Sequence, residues 1–315
     1  MATIYGNETD SFIPWISINS SQNTQETTNT SLTSSDVEEI DKYRKYWWKT
    51  GKLHSKARWE EAKLPCEIVT DVSYDTYVEQ TDKHNIRGWW EWEDGTVRVI
   101  EIPSIFHENC ERAISREITE QTGGVKSTYA DILNYGSSST KSRGSGKDPD
   151  ASFRPKAKPR VNRDGSDGRN QPWPNLVVEI AYSQSVADIK HKVEDYWLRT
   201  GRAHDVIMIK IEPPIAPTMI PVFMTAWHYC INNRTAAGAL NPIMYDFSTT
   251  DDQGNPTNLQ LGQRVINLRL ACLYHNVPDN VLNPPPPQPN LVANLPNPIT
   301  IDLYHVQLAI LDCNI

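Results

Sequence analysis

One short segment restricts the possible folds of this chain more than any other. Leu176-Val177-Val178-Glu179-Ile180-Ala181 is an apolar, β-rich run with Pro-Asn before it and Ser soon after, the pattern of a strand buried on both faces. Residues 186–200 follow with Val186, Ile189, Val193, Tyr196 and Trp197 along one side of a helix, and Gly201 stands just past its end. Val206-Ile207-Met208-Ile209 then reads as a second buried strand. Strand, helix and strand with short connections predict a right-handed crossover between parallel neighbours. The expected fold class is therefore α/β or α+β, with a mixed central sheet flanked by helices. Glu179 interrupts the first strand. An ionised carboxylate buried there costs several kcal/mol unless it is paired or metal-bound.

The rest of the chain divides around this unit. Residues 17–36 are almost entirely Ser, Thr, Asn and Gln, too polar to offset their ordering entropy, so 1–35 read as a flexible tail. After Ser35-Asp36, Val37, Ile40, Tyr43 and Trp47 recur at helical spacing, and 36–85 read as a helical extension. Trp47, Trp48 and Trp59 are expected to pack on their own domain rather than to stack on bases. Residues 86–230 form the expected core. It has a hairpin over 88–102 turning at Asp94-Gly95, and a helix opening at Pro103-Ser104 with Phe106, Cys110, Ala113, Ile114 and Ile118 in one stripe. Residues 231–315 read as an extension with a strand at Val265–Leu273, a semi-rigid linker over Pro284–Pro287, and a returning strand in ITIDLYHVQLAIL.

Charge and composition narrow the partners. With 31 Lys+Arg against 39 Asp+Glu, the net charge of −8 excludes a wholly basic nucleic-acid binder. Residues 141–169 reverse this locally, with nine bases against four acids. Lys147, Arg154, Lys156, Lys158 and Arg160 within that segment are the candidate nucleic-acid contacts. No run approaches the ~18–20 apolar residues of a membrane span, and the N-terminus lacks the pattern of a secretory signal. An intracellular protein, cytoplasmic or nuclear, with no membrane partner is the expectation. The five cysteines form no C-x-x-C pair, so neither a disulfide framework nor a structural zinc site is expected.

Chemistry concentrates near Glu179. Lys147-Asp148-Pro149-Asp150 precedes the strand-like Ala151-Ser152-Phe153. If that piece pairs antiparallel with 176–181, two carboxylates converge at one end of the sheet, close enough to share an ion. Such a donor set suits Mg²⁺, a hard, oxygen-seeking cation. Lys190 and Lys192 flank the apolar face of the following helix, and either could add a positive charge there.

These residues resemble the PD-(D/E)XK superfamily of restriction-endonuclease-like proteins, and within it the Uma-type family. WWEWEDGTVRVIEIPSIFHENC is similar to that family's N-terminal part through Asp94-Gly95, Pro103 and His107. PNLVVEIAYSQS resembles its strand block, with Asn175 where the family has Asp, and His191-Lys192-Val193-Glu194-Asp195-Tyr196 resembles its downstream helix. A strict motif would put Lys at 181, where this chain has Ala181; the Lys-to-Tyr196 spacing selects Lys192, with Lys190 the alternative. The resemblance covers roughly residues 86–211. It implies a restriction-endonuclease-like core acting as a Mg²⁺-dependent endonuclease (Mn²⁺ the substitute) on nucleic acid, DNA before RNA, as a possible homodimer. Asp150, Glu179 and the main-chain carbonyl of Ile180 would be the metal ligands. His107 reads as a capping or packing residue, Asp148 as the alternative acid, and Glu111 and Glu117 as surface charges. The rival expectation is a nuclease fold that no longer cleaves and serves as a nucleic-acid- or protein-binding module.

Overall fold

A computed structural model describes residues 34–55, 64–86, 88–102, 104–123, 132–138, 140–142, 145–214, 219–251, 253–283 and 292–312. Residues 1–33 of the expected 1–35 tail, Trp59 and the Pro284–Pro287 run lie outside these, while Ser34 and Ser35 belong to the first helix. Helix α1 (Ser34–Thr50), strand β1 (Cys66–Val69) and helix α2 (Tyr74–His84) lead into the hairpin β2 (Trp90–Glu93) and β3 (Thr96–Val99). Asp94 and Gly95 make its two-residue turn with φ of 44° and 85°, the positive values that favour Asp-Gly there. Helix α3 (Ile105–Thr122) follows, capped by the Ser104 hydroxyl, which accepts from the His107 N–H at 3.1 Å. Next come β4 (Ile132–Asn134), β5 (Thr140–Ser142), β6 (Ser145–Lys147), β7 (Ala151–Pro155) and β8 (Leu176–Ala181). Helix α4 (Val186–Lys192) runs into a π-helical turn, Val193–Trp197, and then β9 (Asp205–Ile211), β10 (Met224–Cys230) and β11 (Ile243–Asp246). Strand β12 (Val265–Leu268), short helices α5 (Leu270–Leu273) and α6 (Asp279–Leu282), β13 (Ile299–Asp302) and α7 (Leu303–Leu311) complete the order.

The fold is α+β. Six strands in the order β11-β10-β9-β8-β7-β4 form the central mixed sheet, in which β8 and β9 run parallel and the other pairings are antiparallel. The expected β8–α4–β9 crossover and the antiparallel pairing of 151–153 with 176–178 are both present. One face of this sheet, through Phe153, Val178, Ile180 and Ile209, shares a core with Ile114 and Ile118 of α3. The opposite face, through Val177, Ala181 and Met208, packs beneath Ile189, Val193 and Trp197. A five-stranded sheet, β1-β3-β2-β6-β5, holds α1 and α2 around Trp47, Tyr77 and Trp90. Trp47 is fully buried there, as a packing role requires.

The C-terminal region departs from expectation. Val265–Leu273 is a strand followed by a helical turn, and ITIDLYHVQLAIL splits into β13 and α7. Apolar alternation through Ile299, Ile301 and Leu303 gives way to buried Val306, Gln307 and Ile310, a change of period from two to roughly three and a half. Asp302 marks the break: its carboxylate accepts from the Tyr304 N–H at 3.0 Å and starts the helix. Leu303, Val306 and Ile310 then join the α3 core, so this segment completes the central fold.

Asn175 has a structural reason to be an amide. Its fully buried Nδ2 donates to the carbonyls of Leu273 at 2.8 Å and His275 at 3.0 Å, while Oδ1 accepts from Lys158. Aspartate would set a carboxylate oxygen against carbonyl oxygens. Asn175→Asp should therefore destabilise the protein by about 3 kcal/mol, read as a lower denaturation midpoint.

Candidate active site

Four elements converge on the end of β8. Within that strand Glu179 alternates with Val178 and Ile180, so its side chain lies on the face covered by α4 and the π-helical turn. It is 2% exposed. One carboxylate oxygen accepts from the Trp197 indole N–H at 2.5 Å, and the other pairs with Lys192 Nζ at 2.9 Å. The π-helical turn adds a residue to the helical repeat just where Tyr196 and Trp197 enter the core, a device often found beside functional groups.

Lys192 is shared. Besides Glu179, its ammonium reaches Glu91 of β2 at 3.0 Å and the Asp148 carbonyl at 3.1 Å. Glu91 also pairs with Lys147. Lys190, the alternative lysine, points to solvent and pairs with Glu194 of the same helical segment at 3.8 Å. The geometry thus brings Lys192, and not Lys190, to the buried acids.

Asp150 immediately precedes β7 and approaches from a different direction. Its Oδ2 accepts from the main-chain N–H of Ile180 at 2.6 Å, and Oδ1 lies 3.1 Å from Nε2 of His107 on α3. The carboxylate sits at the strand end, with Glu179 arriving from the α4 face. In an extended strand the carbonyl of a residue leaves on the same side as its N–H, so the Ile180 carbonyl is directed toward the Asp150 side. Gly88, at φ 74°, keeps the remaining approach open: a Cβ there would lie 3.2 Å from Asp150 Oδ1. His107 is therefore more than a capping-region residue. Burial alone would lower its pKa, yet the adjoining Asp150 charge carries it well above 6.5.

Charge within the cluster is uneven. Burial pushes the Glu179 carboxyl up to about 8, with Asp150 and Glu91 adding to the rise and Lys192 opposing it. Burial would likewise raise Glu91, but Lys192 and Lys147 bring it below 4.5. Lys192 stays charged: burial disfavours its ammonium, and the facing Glu179 and Glu91 overcome that. The negative charge is thus held on Glu91, and Glu179 is the acid left short of compensation.

Other candidate residues take different positions. Asp148 is buried at 2% exposure beside the same cluster. Glu111 is hydrogen-bonded to Ser115, and Glu117 meets His305 of α7 at 2.8 Å, so Glu117 braces two helices. Three of the five expected nucleic-acid contacts are engaged inside the fold. Lys147 is paired with Glu91; Arg154 donates to the Pro172 carbonyl and covers the Tyr135 ring; Lys158 donates to the Trp173 carbonyl and Asn175. Lys156 and Arg160 face solvent. A cleft of about 860 Å³ collects other bases: Lys141, Arg163, Arg199 and Arg202, around Tyr74, Trp92 and Trp173. Arg199 and Arg202 follow the π-helical turn and lie outside the 141–169 segment, where a local excess of bases is visible in the sequence. Glu91 was hidden as well, because alternation in Trp90-Glu91-Trp92-Glu93 reads as a hairpin's wet face.

No protein-family model matches the chain, and a search of curated proteins finds no match. Among solved structures the chain is similar to a "putative nuclease belonging to DUF820" from Anabaena variabilis, at 14% identity over 50% of this chain and 76% of that one, with a TM-score of 0.33. A likeness that slight leaves function to be inferred from the site's own residues.

The raised acid and histidine set a pH dependence. Glu179, raised from 4.5 to about 8 in the fold, contributes stability at low pH that is lost as pH rises through about 8. His107 has the same sign: its contribution is full below 6.5 and lost as pH passes its raised folded value. The melting temperature of metal-free protein should fall between about pH 5 and pH 8, and Glu179→Gln should flatten that slope.

Proposed function

We propose that this chain is a metal-dependent nuclease that hydrolyses phosphodiester bonds, of DNA before RNA, with a PD-(D/E)XK-type site. One observation carries the reading: the Asp150 carboxylate, just before β7, is bonded to the N–H of Ile180, the residue after Glu179 on β8, while Lys192 reaches Glu179 from the following helix. The donor set fits Mg²⁺, being all oxygen, and Gly88 leaves room beside Asp150. Asp150, Glu179 and the Ile180 carbonyl would hold the ion. When bound, it would supply Lewis acidity toward a phosphoryl oxygen and a more acidic water.

The chain's own residues do the positioning. Glu91 and the Asp148 carbonyl fix the Lys192 ammonium, whose third N–H, now on Glu179, would be released toward water or phosphate charge when the ion takes that carboxylate. The Trp197 N–H orients Glu179, and His107 orients Asp150. Arg163 and Arg199, in the cleft that Tyr74 and Trp92 also line, suit a phosphate backbone with bases against aromatic rings. A second reading, a nuclease fold that binds without cutting, draws support from the same geometry. Both oxygens of Asp150 and both of Glu179 already have protein partners.

Incubation with plasmid, linear DNA and RNA, with Mg²⁺, Mn²⁺ or EDTA, separates the two. Cleavage should require the metal, and Glu179→Gln, Asp150→Asn and Lys192→Met should each reduce it by at least ~10²-fold. Glu179→Gln should leave the metal-free melting temperature at pH 8 equal or higher, since it removes an under-compensated buried acid. Binding without metal-dependent cleavage would favour the second reading. Replacing Arg163 and Arg199 by Gln should reduce the slope of log K against log salt by about 0.7–0.9 for each phosphate no longer neutralised.

A further inference from the structure

A second cluster of metal-ligating side chains lies at the opposite end of β9. His204 precedes β9, Asp205 is its first residue, Cys230 is the last residue of β10, and Cys272 is in α5. Asp205 and Cys230 are partners across the β9–β10 ladder, which fixes two of the four by strand register. Asn175 fixes the rest: its carbonyl accepts from the His204 and Asp205 N–H groups, both at 2.9 Å, while its side chain holds the Cys272–His275 carbonyls. One ligand atom from each of the four residues lies within 4.8 Å of every other. The two sulfurs are 4.0 Å apart.

We infer that His204, Asp205, Cys230 and Cys272 form a binding site for one zinc ion. Two sulfurs and an imidazole are the donors zinc prefers. Tetrahedral Zn–S bonds of about 2.3 Å place sulfurs about 3.8 Å apart, close to the separation found for Cys230 and Cys272. Mg²⁺ is a poor rival here, because it takes hard oxygen ligands. The surroundings are also those of a metal centre. His228 Nε2 lies 2.8 Å from Asp205 Oδ1, orienting that carboxylate from the next strand. Asn232 Nδ2 lies 3.3 Å from His204 Nε2, and the His275 ring stands 4.6 Å from that of His204. Three of the four ligands are buried and Cys230 is partly exposed, which leaves a path for the ion. The ligands come from 204–205, 230 and 272, a spacing that matches no short zinc motif, which is why the absence of C-x-x-C pairs gave no hint of them.

The site is separate from the proposed nuclease centre. Asp205 is paired with β8 at Leu176, three residues before Glu179, so the two lie toward opposite ends of the sheet. The role suited to it is structural. It would tie α5, and through it the C-terminal region, to the edges of β9 and β10.

The test uses the full chain, reduced and stripped of metal by a chelator, then titrated with Zn²⁺ or with Co²⁺ as a spectroscopic probe. Native mass spectrometry should show one zinc per chain with displacement of thiol protons, and the melting temperature should rise. Co²⁺ should give thiolate-to-metal charge-transfer bands and the intense visible bands of a tetrahedral site. Cys230→Ser and Cys272→Ser should each reduce the charge transfer and weaken zinc by at least ~10²-fold, and the double variant should lose the charge transfer altogether. His228→Ala, which removes only an orienting contact, should weaken it about 10-fold. Asp150→Asn should bind zinc as wild type does, whether or not it has lost nuclease activity. If the cysteine variants do not fold, the wild-type cobalt spectrum decides alone. Absence of sulfur charge transfer, or recovery from the cell as a Cys230–Cys272 disulfide indifferent to zinc after reduction, would overturn the assignment.

Discussion

The Lys192 ammonium ties together three parts of this molecule. It takes Glu179 from the central sheet, Glu91 from the N-terminal sheet and the Asp148 carbonyl from the loop between them. It stands at the last residue of α4, directly before the π-helical turn. A lysine at 4% exposure is unfavourable unless its charge is met, and so are the two carboxylates it meets. None of the three is tolerable alone, which makes their assembly mutually conditional. The packing of one sheet against the other therefore depends on where α4 ends.

A comparable arrangement holds the turn between β8 and α4. Glu101, 3% exposed, accepts from the backbone N–H groups of Tyr182, Ser183 and Gln184 at 2.8–3.1 Å. Lys210 donates to the carbonyls of Tyr182 and Gln184 from the other side. An acid that accepts from four peptide N–H groups, the Ile102 N–H at 3.2 Å included, has little capacity left for a metal. That separates Glu101 from Asp150 and Glu179, although all three are acids near the end of β8. The difference is chemical: the turn fixes Glu101 with neutral donors, while the other two are met by His107 and Lys192, whose charge a cation could replace.

Elements with a strong local pattern were legible from sequence. The Asp94-Gly95 hairpin, the β8–α4–β9 crossover and the α3 stripe each depend on residues close in sequence or on one periodicity. What stayed hidden depends on distant partners. Glu91 and Lys192 lie about a hundred positions apart, and alternation in the hairpin gave Glu91 the appearance of a solvated residue. Lys147, Arg154 and Lys158 were counted as basic charge because composition does not distinguish a lysine facing water from one bonded to a carbonyl. Asp150 and Glu179 could be singled out because a proline-bounded acid and an acid in an apolar strand are conspicuous in themselves.

The small size of Ala181 has a packing cause. Ala181 is fully buried and lies on the same face as Glu179, two residues further along β8. Ile189 and Val193 cover that face. A lysine at 181 would have to extend beneath α4, into the layer that Ile189 and Val193 fill. A lysine on the helix itself avoids the difficulty, since Lys192 reaches the carboxylate from above the layer. Alanine at 181 and lysine at 192 are thus two parts of one solution: the small residue lets α4 settle close to β8, and that closeness brings the Lys192 ammonium within 2.9 Å of Glu179.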